Sequence, residues 1–315
     1  MRFENFRQLI RAVRDLPKAR LCVAAAAEET VLQAVRDARK EELVDVTLVG
    51  HEETIWRLAC TVGLNLKGIE IIHEKDPAAA AQRAVAEVAQ GRADFLMKGM
   101  VNTADFLRAV LNPQAGLRTG RILSHLAAYE IPGYYRLIFL TDGGFNIAPD
   151  LEQKKAIIEN AVSFLHTIGL RKPRVAVLSA NEQVNPRMPV TVEAYALKQM
   201  AERGEIKGAY VDGPVPLDVA VSYEAAAHKG IQSPVAGRAD LLVVPNIEAG
   251  NLLGKAIIYF AGGKMAGLVL GAARPIILTS RNETAYGKVA SIALAAYSVV
   301  SARQAAAAEE RTGLP

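Results

Sequence analysis

The sequence predicts an α/β protein of two domains, and three observations predict it. Short apolar runs alternate with longer amphipathic stretches along the chain, the pattern of a parallel sheet covered by helices. The runs are too many for one small sheet, and 315 residues exceed what one ordinary core serves. Hydrophobic residues make up 51% and aromatic residues 6%, so the core is expected to be Ala, Val, Leu and Ile.

In chain order, strands are expected at 21–25, 46–49, 69–73, 94–98, 137–141, 174–179, 208–211, 241–244, 267–270 and 276–279, where Val, Ile and Leu cluster between turn residues. Helices are expected at 29–40, 78–90, 151–168, 190–203 and 291–308. Asp76-Pro77, Pro149-Asp150 and Pro189 mark three of the starts, because Pro presets a helical φ and Asp accepts a free amide. Ile131-Pro132-Gly133 and Asp212-Gly213-Pro214 read as turns, the first as a crossing between domains.

The charge of +4 is spread along the chain without a basic block, which excludes the usual nucleic-acid signature and suits a small anion. Cys22 and Cys60 have no CxxC spacing and read as two buried thiols of a reducing compartment. Residues 1–14 lack the features of a signal peptide, and no apolar run approaches the ~20 residues of a membrane span. A cytoplasmic protein is expected.

The sequence has neither a GxxxxGK[ST] nor a GxGxxG loop after the first strand, and no HExxH or GxSxG. Five histidines are scattered without ligand spacing, so no metal site is expected. What remains are polar residues where apolar strands end, the place where open α/β sheets bind ligands. Lys98 closes a strand and Asn102-Thr103 opens a helix, which aims a cation and free amides at one point. An ordinary turn with a solvated lysine reads equally well.

Residues 116–125 bring Arg118, Arg121 and Ser124 beside small residues, and arginine's planar fork suits phosphate, although a surface arginine pair has the same pattern. His125 reads as a packed side chain more than as a base. Asp142, Asn146, Asn246 and Glu248 stand at strand ends, where turn and pocket roles are both open; Asn251 follows in the same edge segment. The sharpest edge is 279–283, where a buried strand delivers Ser280 and Arg281 just before a helix that begins near Thr284, with a plain helix cap as the alternative.

Lys98-Gly99 with 102–108, the stretch 116–132, Thr141-Asp142-Gly143-Gly144-Phe145-Asn146, Asp212-Gly213-Pro214, 238–251 and Thr279-Ser280-Arg281 together resemble the phosphate acetyltransferase and phosphate butyryltransferase family over most of the chain. Residues 118–125 with 141–144 look closer to the butyryl branch. The resemblance implies an isocitrate/isopropylmalate dehydrogenase-like fold: a first α/β domain of 1–135 and 268–315, an inserted second of 136–267, and an active-site cleft between them. It also implies a homodimer or higher homo-oligomer.

By the same resemblance, acyl-CoA plus inorganic phosphate is interconverted with acyl phosphate plus CoA in a ternary complex. CoA is a substrate and no cofactor is bound tightly. From the charge distribution and the length of the apolar runs, neither nucleic acid nor membrane is expected as a partner. Ser280 and Arg281 match the family's catalytic pair, Arg121 its further arginine, and Arg118 is a second match. Lys98, Asn102, Thr103, Ser124, Asp142, Asn146, Asn246 and Asn251 are carried as phosphate or CoA contacts. Acetyl-type relatives place an aspartate at a position that falls near Gly287 here, and the nearest acid is Glu283, so Glu283 is the candidate base. The rival readings are a phosphate acetyltransferase, a metal-requiring NAD(P)-dependent dehydrogenase of the same fold, and a non-catalytic protein that binds CoA or acyl phosphate.

Overall fold

The computed structural model describes residues 2–114, 117–278 and 283–312. They form two compact units, Phe6–Arg121 with Ala266–Pro315 and Met1–Asn5 with Ile122–Met265. Elements are numbered along the chain.

The unit that begins at Phe6 carries α1 (Phe6–Arg14), β1 (Ala19–Ala24), α2 (Glu29–Lys40), β2 (Val44–Gly50), α3 (Glu52–Val62), β3 (Glu70–His73), α4 (Pro77–Ala89), β4 (Phe95–Lys98) and α5 (Thr103–Val110). The chain returns to it in β10 (Lys264–Leu270), β11 (Ile276–Ile277) and α11 (Ala285–Thr312). The strands run in the order β3-β2-β1-β4-β11-β10. All neighbours are parallel except β10 against β11, so the helix-covered parallel sheet expected from the alternation is what forms here.

The reasons are local. Val31, Leu32, Ala34, Val35 and Ala38 give α2 one buried stripe. Asp76 caps α4 by accepting from the Ala79 amide at 2.7 Å, with Pro77 in the first turn. Gly63 ends α3 at φ 69°, a conformation that costs glycine little. Cys60 lies on the outward side of α3, opposite Ile55, Ala59 and Val62, and is exposed; only Cys22 is the buried thiol expected.

Residues 285–308 of α11 are, among the described residues, the one helix long and apolar enough by composition to cross a membrane, at mean hydropathy 1.2. The sequence reading missed it because alanine lengthens the apolar stretch without looking strongly hydrophobic. An 18-residue apolar window within it is 72% buried inside the protein, which is the behaviour of a core helix.

The other unit carries β5 (Ser124–Glu130), β6 (Ile138–Thr141), α6 (Leu151–Thr167), β7 (Arg174–Leu178), α7 (Pro189–Glu202), β8 (Tyr210–Val215), α8 (Leu217–Val221), α9 (Tyr223–His228), β9 (Leu241–Val243) and α10 (Ile247–Tyr259). Its strand order is β5-β6-β9-β7-β8, with β5 antiparallel and the remainder parallel. Asp150 and Gln153 form a reciprocal capping box that starts α6 where the Pro149-Asp150 signal stood.

Two expectations change in this unit. Residues 124–130 form a strand that periodicity did not show, because the stretch Leu126-Ala127-Ala128 has no β-branched residue. The expected strand 208–211 instead runs as β8 through Gly213-Pro214 to Val215, since β8 pairs only with β7 and lies at the sheet edge, where proline is tolerated. Asp240 anchors the sheet: it is fully buried, accepts from the Arg174 amide at 2.8 Å and Arg2 Nη2 at 3.1 Å, and pairs with the buried Arg136.

Candidate functional site

At the carboxyl edge of the β1 and β4 strands a cavity of about 500 Å³ opens, with Lys98, Asn102, Asp105, Glu28, Asp76 and Lys288 in its wall. The helices α2, α4 and α5 begin at this edge, so their partial positive ends face it. The edge exists because two chain crossings are pressed together. The Gly99 amide donates to Ala24 O and the Met100 amide to Ala25 O, both at 2.8 Å. A Cβ on Gly99 would lie 2.4 Å from Ala25 O. Ala25 itself adopts a left-handed φ of 51°, a strained value for alanine.

Lys98 Nζ donates to the Gly99 carbonyl at 3.2 Å and is half-buried. Asn102 Oδ1 accepts from the Asp105 amide at 2.8 Å and caps α5, while Asp105 pairs with Arg108. The cavity's side-chain acids are thus largely committed: Asp76 to its helix start, Asp105 to Arg108 and Glu28 to Thr30, whose hydroxyl donates to Oε1 at 2.9 Å. Thr103 is the exposed first residue of α5.

Lys288, on the first turns of α11, is only 2% exposed. Its ammonium donates to Thr30 Oγ1 at 3.1 Å and to the Glu283 carbonyl at 3.4 Å. Burial pushes the Glu283 carboxyl up to about 7, and the positive charge of Lys288 acts in the opposite direction. Glu283 therefore exchanges protons near neutrality. Gly287 is buried in the same turn and donates its amide to Thr284 Oγ1 at 3.0 Å. Ser280 and Arg281 lie outside the described residues, as do Thr279, Asn282 and Gly116.

Arg118 and Arg121 are exposed and neither lines the cavity. Their segment is held by backbone: Ala273 N donates to Leu117 O at 2.9 Å, Arg118 bridges Ala272, and the Thr119 hydroxyl donates to Gly271 O.

The other predicted residues belong to the second unit, and two of them, Asp142 and Asn146, join one network. Asp142 is buried and accepts from the amides of His125, Gly144, Phe145 and Asn146 at 2.9 to 3.2 Å, and from Asn146 Nδ2 at 2.6 Å. Asn146 Nδ2 also reaches Leu123 O at 2.8 Å. Ser124 is buried and its hydroxyl accepts from Asn160 Nδ2 at 3.2 Å. Asp142 and Asn146 thus organise the 142–146 turn, where the Asp142 carboxylate is committed.

Asn246 Oδ1 caps α10 through the Ala249 amide at 3.0 Å, and Gly250 packs so closely on Gly143 that a Cβ would lie 2.5 Å from its Cα. Asn251 and Glu248 are exposed on α10. The turn and the helix start are therefore one packed edge at the carboxyl ends of β6 and β9.

Sequence reasoning missed Lys288, Thr30, Asn160 and the environment of His125. The signal for Lys288 was present, since it is the one charge between Glu283 and Arg303 in an apolar stretch. His125 has its Nδ1 sheltered and unpartnered, with Gly144 so near that a Cβ would meet that nitrogen at 3.2 Å. Burial lowers its pKa while the Asp142 charge raises it, in keeping with the packed role expected. No cluster of metal-ligating side chains occurs among the described residues.

Residues 77–296 match the model of the phosphate acetyl/butaryl transferase family. The chain is 45% identical over 293 residues to a phosphate butyryltransferase of Clostridium acetobutylicum, covering 93% of this chain and 97% of that protein. It is 45% identical over 277 residues to a phosphate acetyltransferase of Thermotoga maritima, covering 88% and 94%. Among solved structures, a branched-chain phosphotransacylase of Enterococcus faecalis superposes with a TM-score of 0.80 at 35% identity, covering 89% of this chain and 99% of that one.

Proposed function

The chain belongs to the phosphate acetyl/butaryl transferase family, and from that premise we propose that it exchanges the coenzyme A of a short-chain acyl-CoA for inorganic phosphate, with butyryl-CoA as the favoured substrate. A phosphate oxygen attacks the thioester carbonyl carbon, the C–S bond breaks, and acyl phosphate and CoA leave. In reverse, the CoA thiol loses its proton and its sulfur attacks the acyl phosphate. Two bound reactants held in register need no covalent enzyme intermediate.

The observation that carries this reading is the lysine-walled cavity at the sheet edge beside an acid whose pKa stands at about 7. Such an acid is half ionised at neutral pH, so it can give a proton to the departing thiolate and take one from an incoming thiol of pKa ~8.5. Glu283 is the base and acid in this proposal. Lys98, Arg281 and Arg121 hold phosphate, with Arg118 as the alternate arginine. Ser280 and the amides at Asn102 and Thr103 donate to the oxyanion. Asn246, Asn251 and Ser124 are assigned to CoA, while Asp142 and Asn146 act by holding the 142–146 turn.

The isocitrate/isopropylmalate dehydrogenase-like arrangement with its cleft is part of the proposal and rests on the resemblance. A homodimer or higher homo-oligomer rests on it too, and a cytoplasmic setting is proposed beside it. Acetyl transfer is the second reading, favoured by the equal identity to the acetyltransferase relative.

Thiol release from butyryl-CoA and from acetyl-CoA, with and without phosphate, tests the function. Phosphate-dependent release, faster with butyryl-CoA, is expected. Arg281→Ala should lower kcat/KM by roughly thirtyfold to several thousandfold, the ~2 to 5 kcal/mol of a desolvated charge contact. No phosphate-dependent release from either thioester would refute the function, and an undiminished Arg281→Ala would refute the assignment of that arginine.

A further inference from the structure

We infer that Lys288 is a positioning residue for acyl transfer, holding Glu283 against the first turn of α2 and keeping a fixed positive charge in the cavity wall. The inference rests on the function proposed above and goes beyond the residues assigned there.

Lys288 is buried as the one charged residue of α11 before Arg303, yet its ammonium has no carboxylate within ion-pair distance among the described residues. Its hydrogen-bond partners are neutral oxygens, Thr30 Oγ1 at 3.1 Å and Glu283 O at 3.4 Å. Thr30 passes the chain on, donating its own hydroxyl to Glu28 Oε1 at 2.9 Å. Glu28, Thr30, Lys288 and the backbone of Glu283 thus form one hydrogen-bonded line from the start of α2 to the start of α11.

Stability alone does not call for a lysine there. Desolvating an ammonium costs several kcal/mol, and an apolar side chain at such a position is often neutral or stabilising. A buried cation that opens onto a cavity is a group waiting for negative charge. In this site that charge comes from the phosphate and from Glu283 when it ionises.

The charged groups around it come from several elements. Glu28 precedes α2, Asp76 precedes α4, Lys98 ends β4 and Asp105 lies on α5, all in the same wall. β11 brings only Ile276 and Ile277, and α1 meets this end of α11 through Phe6 on Tyr286. Lys288 is the charged neighbour that acts on the Glu283 carboxyl, and it favours the ionised form.

The test is the pH dependence of kcat/KM for phosphate-dependent thiol release from butyryl-CoA, in the wild type, Lys288→Met and Thr30→Val. Lys288→Met should move the limb near pH 7 to higher pH by about one unit, because a nearby opposite charge is lost. Thr30→Val keeps the ammonium, so the limb should stay in place while kcat falls about fivefold for the lost hydrogen bond.

A purely structural lysine would lower the unfolding midpoint of Lys288→Met and leave the limb unmoved, and that result overturns the inference. Should Lys288→Met not fold, Thr30→Val decides, and an unchanged kcat overturns it. A wild type without activity overturns the function and this inference together, whereas an active wild type with indifferent variants overturns only the role of Lys288.

Discussion

Replacing Glu283 by Gln should make the protein more stable at alkaline pH and leave it nearly unchanged in acid. The carboxyl is raised from 4.5 to about 7, chiefly by burial, with Lys288 opposing. A raised acid means that the native state binds this proton more tightly than the unfolded chain does. Between about pH 4.5 and 7 the unfolded chain has released the proton that the native state still holds, so stability falls as pH rises through that window and levels off above it.

At ~1.4 kcal/mol per pH unit, the difference is on the order of 3 kcal/mol. Gln has the shape of the protonated acid and does not titrate, so the variant lacks this loss. Denaturant unfolding of both proteins from pH 4.5 to 8 measures it directly. The stability gap should open from near zero to about 2 to 3 kcal/mol in favour of the variant. A gap that is constant across the range would refute the reasoning, because it would mean that the carboxyl titrates alike in the folded and unfolded chains.

Two further outcomes are expected from the packing. Asp240→Ala removes the acceptor of the buried Arg136 and of the Arg174 amide, and should cost about 3 to 5 kcal/mol in denaturant unfolding, since it strands a buried guanidinium. Gly99→Ala sets a methyl 2.4 Å from Ala25 O and 2.7 Å from Ala24 O. It should lower the unfolding free energy by about 1 to 3 kcal/mol and depress thiol release as the Lys98 edge is pushed away from β1.

Much of the site edge was legible before any fold. Lys98, Asn102 and the stretch ahead of α11 stand where apolar strands end and helices begin, and both signals depend on residues a few positions apart. The same holds for Asp76 and Asp150, whose caps form with amides three residues on. Asp142 was ambiguous for the opposite reason. Its turn partners are near in sequence, but its commitment to the His125 amide, 17 residues away, shows only when β5 lies beside β6. The strand β5 was missed because its pairing, and not its composition, makes it a strand.

Neighbouring residues alone specify the alternation of strands and helices, the capped helix starts and the family resemblance, since period, caps and motifs are local in the chain. Folding in three dimensions is what brings Lys288 to Thr30 across 258 positions of chain, buries the Glu283 carboxyl so that it is raised to about 7, and gathers Arg2, Arg136 and Arg174 around Asp240. Burial and charge act through space, and the energy of an ionised group depends on which distant side chains and how little water the fold brings to it.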